Sequence, residues 1–368
     1  MIIENKNLKS GEKAIFLLRA LYDKYGYSQY KMSKFEEYDL YVKNKDFLIS
    51  PSVITFTDTN GRLMALKPDV TLSIIKNCHD APGTVQKMYY NENVYRVSEG
   101  SGNFREIMQV GLECIGDIDS YAVLEVTLLA AKSLASISED WVLDISHLGI
   151  VSEIIDGLNL ASEERKAILK CLSEKNIHGI SEICGDSKGA DALKTLVGSY
   201  GEPRYVLDVI KELPVSKKYI DELAEIAEEF SENGLSRNIR IDFSVTDDLK
   251  YYNGVSFRGF VKGVSSSVLS GGQYDNLMCR MGKSSKAIGF AVYLDKLEEI
   301  EEVAEKYDVD TVLLYDEGER AVNISRAVSR IAESGTSVAA MRKLPEKFRY
   351  KKLLKISGGE VTQLENNA

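Results

Sequence analysis

The run QKMYYNENVYRVSEGSGNFREIMQVGLECIG, from Gln86 to Gly116, reads as two strands joined by a polar, glycine-containing loop, Val97 to Asn103. Side chains on a strand change face at every residue, so Val110, Leu112 and Cys114 point one way and Gln109, Gly111 and Glu113 the other. The first set makes core and the second carries polar chemistry. A Gln and a Glu flanking a Gly without a side chain form a floor for a small polar ligand, with an amide and a carboxylate supplying directional hydrogen bonds. The same alternation also describes an ordinary half-exposed strand with a polar solvent face. Arg96 ends the first strand and Arg105 opens the second, an arrangement that lets two guanidinium groups converge on an anion above that floor.

The totals bound what surrounds this hairpin. A chain of 368 residues predicts two or three domains at about 100–200 residues each. Hydrophobic residues at 44% and charged residues at 28% describe a globular protein able to bury a full core. No apolar run approaches the roughly 20 residues of a membrane span, and the opening MIIENKNLKSGEK lacks the apolar segment of a signal peptide, so a cytoplasmic protein without membrane contact is expected. Cys78, Cys114, Cys171, Cys184 and Cys279 show no C-x-x-C spacing, which suggests neither a zinc cluster nor a disulfide framework. His79, His147 and His178 are isolated, and His147, in LDISHLGI, reads as a satisfied structural histidine. No metal site and no cofactor are expected. The net charge of −10 argues against a large nucleic-acid footprint.

Along the chain, Ala14, Leu17, Leu18 and Leu21 recur at helical spacing between Gly11 and Tyr25, and Gly26 ends the pattern. TDTNGRLMALKPDVTLSII, from Thr57, gives a turn at Asn60-Gly61, a short strand, and a helix start at Pro68, Asp69 and Thr71. A helix over Ser120 to Leu134 and a strand over Trp141 to Ile145 follow. From Val151 to Gly234, Leu, Ile and Ala recur amid Glu and Lys, with turns at Gly157, Gly185 and Pro203, which predicts a helical insertion. Its runs Asp221-Glu222 and Glu228-Glu229 read as solvated helix faces. The sheet resumes at NIRIDFSV, and DDLKYYNGVSFRGFV offers Asn253-Gly254 as a hairpin turn. The tail alternates VDTVLLY, a helix from Glu319 to Ser334, TSVAAM and FRYKKLLKISGGEV, a short α/β module. Arg342, Lys343, Lys347, Arg349, Lys351, Lys352 and Lys355 form its basic concentration, readable as a solvated surface or as a contact for RNA or an acidic partner.

The hairpin resembles motif 2 of the class II aminoacyl-tRNA synthetases, most closely in the histidyl branch, where R-x-F-x-Q-x-x-x-E provides the amino-acid pocket. In FREIMQVGLE, Gln109 and Glu113 are in place and Ile107 stands where the phenylalanine would be. GYSQYKMSKFEEYDLY is similar to motif 1, a strand at the dimer interface, with Ser33 near the usual proline. Lys67-Pro68-Asp69-Val70-Thr71 resembles R-P-E-x-T, whose acid and threonine face the amino group of histidine. DDLKYYNG resembles R-G-L-D-Y-Y-T-G, with Tyr251 and Tyr252 on the tyrosines that shape the pocket, Asp247 at the arginine and Lys250 at the aspartate. SGGQYDNLM resembles G-G-R-Y-D-x-L, with Gln273 for arginine. KAIGFAVYLDKLEEI is similar to motif 3, with Tyr293 for glycine, Asp295 for glutamate and Lys296 for arginine.

This resemblance implies an α+β fold, a class II synthetase-like antiparallel sheet flanked by helices and built from 1–150 and 235–303. Residues 151–234 would form the helical insertion, and 304–368 an α/β tail like a shortened anticodon-binding domain. It also implies a histidine site at Asp69, Thr71, Arg96, Gln109, Glu113, Tyr251 and Tyr252, with Arg105 as the alternative to Arg96 at the ligand carboxylate. The positions serving the reaction have drifted. A carboxylate at Asp247 opposes the charge an arginine would stabilise, lysine lacks the planar face that stacks on adenine, and Tyr293 is expected to close the nucleotide pocket. A site that keeps its ligand and loses its reaction is similar to the regulatory-subunit family of ATP phosphoribosyltransferase. That likeness implies a chain with no catalytic residue, dimeric within a hetero-octamer, that partners a short catalytic subunit, takes histidine as effector and binds no tRNA. The alternatives are a divergent active histidyl-tRNA synthetase and an RNA-binding paralogue that senses uncharged tRNA.

Overall fold

The computed structural model describes residues 10–45, 48, 53–97, 102–245, 251–297 and 307–367. The chain divides into two units, Met1–Ile300 and Glu301–Ala368.

In the first unit α1 (Ser10–Lys24) ends at Gly26, whose φ of +79° suits a helix C-terminal glycine. After it come β1 (Ser28–Gln29), β2 (Phe35–Glu37), α2 (Tyr38–Lys43), β3 (Thr55–Thr57), β4 (Leu63–Leu66) and α3 (Thr71–Asn77). The long hairpin is β5 (Val85–Val97) and β6 (Phe104–Gly116), in register from Val85 opposite Gly116 to Val97 opposite Phe104. Next are α4 (Ser120–Ile137), β7 (Trp141–His147) and six helices, α5 (Leu148–Gly157), α6 (Ser162–Ser173), α7 (Ile177–Cys184), α8 (Lys188–Gly198), α9 (Pro203–Ile210) and α10 (Lys217–Glu232). The unit closes with β8 (Ile239–Ile241), β9 (Val255–Val261), β10 (Leu269–Gln273), α11 (Asp275–Arg280), β11 (Lys286–Tyr293) and α12 (Leu294–Leu297). Eight strands form one sheet in the order β1-β5-β6-β11-β10-β9-β7-β8, antiparallel except for the outermost pair at each edge.

One face of this sheet presents Val110, Leu112, Cys114, Ile145, Phe257, Leu269 and Phe290 to a core shared with α1 and α4. The Asp119 side chain caps α4 by accepting from the Ala122 N–H. By length and composition α4 alone among the described helices could cross a membrane, an exception to the expected lack of apolar runs. Its Val126, Leu129, Ala130 and Leu134 are fully buried, as in the core helix of a folded domain. The helical stretch joins the same core through Ile168, Leu172, Leu193, Val206, Leu223 and Phe230. His147 stacks on Tyr219 and bonds Glu222 at 2.8 Å, while its other ring nitrogen accepts from the Gly149 N–H.

Two local expectations change. The stretch resembling motif 1 is not one strand: β1 joins the large sheet, β2 pairs with β4 in a separate three-stranded sheet, and the chain is helical from Tyr38. The Ser33 hydroxyl accepts from the Phe35 N–H and turns the chain, after which Tyr38 and fully buried Tyr41 share a helical face. Asn253-Gly254 is not a hairpin turn, because β7 lies between β8 and β9 and pairs with both. The Asn253 N–H instead donates to the Gln273 carbonyl, and Gln273 Oε1 accepts from the Val255 N–H.

In the second unit β12 (Val309–Tyr315), α13 (Ala321–Glu333), β13 (Val338–Met341), β14 (Tyr350–Ser357) and β15 (Glu360–Asn366) give a sheet of order β13-β12-β14-β15. Helix α13 covers one face through Ile324, Ala327, Val328 and Ile331. Much of its basic concentration is paired: Arg342 with Glu317, Arg349 with Asp308, Lys351 with Asp310 and Lys355 with Asp316.

The segment leading into α3 is pinned to the hairpin. Lys67, fully buried, places its ammonium 3.0 Å from Glu92 on β5, its carbonyl accepts from the Tyr95 N–H, and its N–H donates to the Lys34 carbonyl. Lys67→Met keeps the aliphatic stem and leaves Glu92 without its cation. The expected loss is about 3 kcal/mol of unfolding free energy, read as a lower urea midpoint at unchanged m value. An unmoved midpoint would make the pair dispensable.

Candidate functional site

The face of the large sheet opposite α4 carries Gln109, Gly111 and Glu113 of β6. Register places Tyr293, Ala291 and Gly289 of β11 beside them, Ser270 and Gly272 of β10 beyond, and Arg258 and Ser256 of β9 beyond those. A cavity of about 620 Å³ opens on this face. All seven residues expected at the site, Asp69, Thr71, Arg96, Gln109, Glu113, Tyr251 and Tyr252, line it. Asp247 and Lys250, where the reaction's arginine and aspartate would stand, lie outside the described residues.

Glu113 is the centre of the inner end. At 2% exposure, its two carboxyl oxygens accept from the Thr71 hydroxyl at 2.9 Å and the Tyr274 hydroxyl at 2.6 Å. Burial pushes its pKa up to about 8, against the lowering effect of those two donors and with a further upward push from Asp69. Gly289 opposite has no room for a Cβ, which would overlap the Glu113 carboxyl. Asp69, also buried, caps α3 by accepting from the Leu72 N–H. Burial raises its pKa as well, while Leu72, Arg96 and Lys67 oppose the shift. The Tyr251 and Tyr252 rings meet edge-on at 4.8 Å, and Tyr251 lies 5.9 Å from the Tyr274 ring.

The floor differs from the sequence expectation in one respect. The space above Gly111 is taken by the Tyr90 ring, whose hydroxyl a Cβ at Gly111 would overlap, so the glycine makes room for a tyrosine before it makes room for a ligand. The arginines differ too. Arg96 and Arg105 are direct cross-strand partners, but Arg96 Nε donates to the Pro68 carbonyl at 3.1 Å, and Arg105 pairs with Asp295 at 3.4 Å.

At the outer end, Tyr293 does not seal the cavity. Its hydroxyl bonds Ser270 at 2.7 Å, and its ring becomes a wall. Lys296 donates to the Ser267 carbonyl at 2.7 Å, with its ammonium 5.0 Å from the centre of the Tyr293 ring. Gln273 is absorbed by backbone contacts of β9. Tyr90, Arg258, Ser267, Ser270 and Tyr274 line the cavity without having been singled out from the sequence. The signal for Tyr90 was its place opposite Gly111, and for Arg258 its alternation with buried Phe257; Tyr274, outside any strand, was marked only as the tyrosine of the stretch resembling G-G-R-Y-D-x-L.

Acids and hydroxyls at one end and cations towards the other suit a small zwitterion with an amino group and a carboxylate. The sheet topology and the placement of the cavity define the class II aminoacyl-tRNA synthetase fold. The histidyl-tRNA synthetase family model matches residues 5–297. An ATP phosphoribosyltransferase regulatory subunit from Caldanaerobacter subterraneus subsp. tengcongensis is 30% identical over 76% of this chain and 75% of its own. A histidine–tRNA ligase from Methanocaldococcus jannaschii is 29% identical over 76% of this chain and 69% of its own. The crystal structure of an ATP phosphoribosyltransferase regulatory subunit/histidyl-tRNA synthetase from Bacillus halodurans superposes with a TM-score of 0.75 at 19% identity, over 94% of this chain and 93% of that one. The chain belongs to the histidyl-tRNA synthetase family and, within it, to the ATP phosphoribosyltransferase regulatory subunits.

The raised pKa of Glu113 fixes a pH dependence for the ligand-free protein. Between the ordinary value of 4.5 and about 8, the folded state holds a proton that the unfolded state has lost. The Glu113 contribution to stability is therefore full below about pH 4.5 and is lost as pH rises through about 8, with a slope of at most ~1.4 kcal/mol per unit. Glu113→Gln should flatten this slope in urea titrations at pH 5 to 8 and leave the decline of the same sign from Asp69. An identical slope in the variant would place the titration elsewhere.

Proposed function

We propose that this chain is a non-catalytic subunit that activates a separate short catalytic subunit of ATP phosphoribosyltransferase and carries feedback inhibition by histidine, in the first step of histidine biosynthesis. It acts in the cytoplasm as a dimer within a hetero-octamer. The observation that carries the reading is the contrast between the two ends of the cavity. The inner end keeps two acids, an amide, a threonine and tyrosines lining one cavity. At the outer end, the motif 3 positions are engaged with the chain itself, Lys296 on Ser267, Tyr293 on Ser270 and Asp295 on Arg105. Asp69 and Glu113 serve the ligand's nitrogens, Gln109 and Thr71 add neutral hydrogen bonds, and Arg96 meets the carboxylate. Inhibition requires histidine to bind the inhibited arrangement of the complex more tightly than the active one.

The ligase among the relatives favours a second reading, a divergent active histidyl-tRNA synthetase. One experiment separates the two: transferase activity of a short catalytic subunit with and without this chain, titrated with histidine. Activity that appears on mixing and falls with histidine is the expected outcome, and Gln109→Ala should raise the half-inhibiting concentration about tenfold, the value of one lost directional hydrogen bond. No activation, together with histidine-dependent ATP–pyrophosphate exchange by this chain alone, would establish the synthetase instead.

A further inference from the structure

The helices α5 to α10 contribute no residue to the cavity wall among the described residues. They nevertheless grip the strands behind that wall at two places. At the first, His147 ends β7 with its ring stacked on Tyr219 of α10, and its Nε2–H donates to the Glu222 carboxylate at 2.8 Å, a bond that lowers the Glu222 pKa. The tautomer is set, because Nδ1 accepts from the Gly149 N–H. A Cβ at Gly149 would press on both the His147 and the Tyr219 rings, so the stack closes tightly over the chain. The residue after His147, Leu148, donates its N–H to the Gly254 carbonyl at 2.8 Å, two positions beyond Tyr252 of the cavity wall. Displacing α10 therefore pulls on the backbone that carries this tyrosine.

At the second place, Lys175 follows α6 with a φ of +53°, a left-handed conformation that glycine or asparagine usually supplies at a helix end. Its ammonium lies 2.7 Å from Asp242, just past β8, and 3.9 Å from the centre of the Tyr200 ring. Gly201 fixes the same region by exchanging backbone hydrogen bonds with Ile241 in both directions. Asp242 acts in turn on Asp144 of β7, whose pKa is pushed up to about 6 by burial and by that neighbouring acid. Arg240, Lys175 and Arg258 oppose the push, and Arg258, opposite Asp144 on β9, lines the cavity. A cation of the helical insertion and a cation of the cavity wall thus act on one acid, whose Oδ1 is buried with no hydrogen-bond partner.

We propose that the helical insertion is coupled to the occupancy of the cavity: its docked position, held by Glu222 on His147 and by Lys175 on Asp242, keeps Tyr252 and Arg258 in their ligand-binding places, and a bound ligand in turn fixes the insertion. His147, Glu222 and Lys175 are positioning residues. The inference takes histidine as the ligand from the reading above and goes beyond it by giving the insertion a role. The second arrangement that coupling requires is a shear of α10 along α4, against which α10 packs while burying Leu223, Ile226 and Phe230. Apolar packing survives a small slide, whereas the polar grips are made or broken. Coupling of this kind is reciprocal: the factor that docking adds to histidine affinity is the factor that histidine adds to docking.

The test uses the full chain and L-histidine. In calorimetry, Lys175→Met and Glu222→Ala, both remote from the cavity lining, should each weaken histidine binding about five- to tenfold, because a smaller fraction of the chain is competent to bind. Lys175→Arg keeps a cation that reaches the carboxylate and stacks on Tyr200, and should restore affinity to within about twofold. Hydrogen exchange reads the reciprocal effect: saturating histidine should slow the amides of α10 and of the turn at Lys175 by about threefold or more in the unaltered chain, and by less in Lys175→Met. Histidine binding that leaves exchange in α10 unaltered would overturn the proposal, even if a variant fails to fold, and would leave the histidine site intact. So would unchanged affinity in both variants, or a loss that Lys175→Arg does not restore, which is the mark of a merely structural contact. No histidine binding by the unaltered chain would overturn this proposal and the histidine reading together.

Discussion

Everything at this site follows from one cross-strand pairing, Glu113 of β6 opposite Gly289 of β11. It fixes which face each residue of six consecutive strands presents, because side chains alternate along a strand and the pairings of these strands run without a register shift. In this register Glu113, Gly289, Gly272 and Ser256 make one row across the cavity face, and Gly111, Ala291, Ser270 and Arg258 make the next. Slipping β11 by one residue would bring Phe290 to the cavity and bury Tyr293 against α4. The smallness of Gly289 and Gly111 is what lets the acid and Tyr90 lie flat on the sheet. The hydroxyls of Thr71 and Tyr274 then reach the acid from outside the sheet, so the site depends on both the register and the segments docked on it.

How much of this was legible follows from the same distinction. Residues on β6 were readable because period-2 alternation over Gln109 to Cys114 leaves no ambiguity about face, and the positions resembling family motifs could be assigned one by one. Tyr90 and Arg258 were readable in principle, but only once the strand partners were known, since each matters through what lies opposite. Tyr274 could not be found by alternation, because it follows the end of β10 and reaches Glu113 through tertiary packing. The errors were of another kind. Asn253-Gly254 has the composition of a hairpin turn, yet β7 returns from far earlier in the chain to separate the two strands it would have joined. Between Gln29 and Phe35 the chain leaves one sheet for another, a change set by non-local pairing that local sequence does not encode.

At the outer end, the contacts made at the positions resembling motif 3 are individually small. Arg105 is more than half exposed and 3.4 Å from Asp295, a geometry that contributes on the order of 0–1 kcal/mol and would not hold the arginine against a strongly bound anion. These contacts set the direction of the donors more than they add stability. Lys296 spends a hydrogen bond on the Ser267 carbonyl and lies by the Tyr293 ring, so its charge faces an internal wall. A lysine also offers a point charge where stacking on a purine asks for a plane. The cavity remains open there, but its polar groups are organised around each other.

For an effector in the inner end to act on a distant surface, it must alter contacts that differ between two arrangements of the protein. Glu113 ties three separate pieces together: its own strand, α3 through Thr71, and the segment between β10 and α11 through Tyr274. Each tie is a hydrogen bond to a buried carboxyl, and such bonds strengthen when the acceptor is ionised. A ligand that changes the charge on Glu113 therefore acts on α3 and on α11 at once, without needing to touch either. Lys67 extends the connection, since the segment leading into α3 is held to β5 by its ion pair with Glu92. A coupling free energy of about 1–3 kcal/mol, enough for a strong allosteric response, lies within the range of two charge-assisted hydrogen bonds changing strength together.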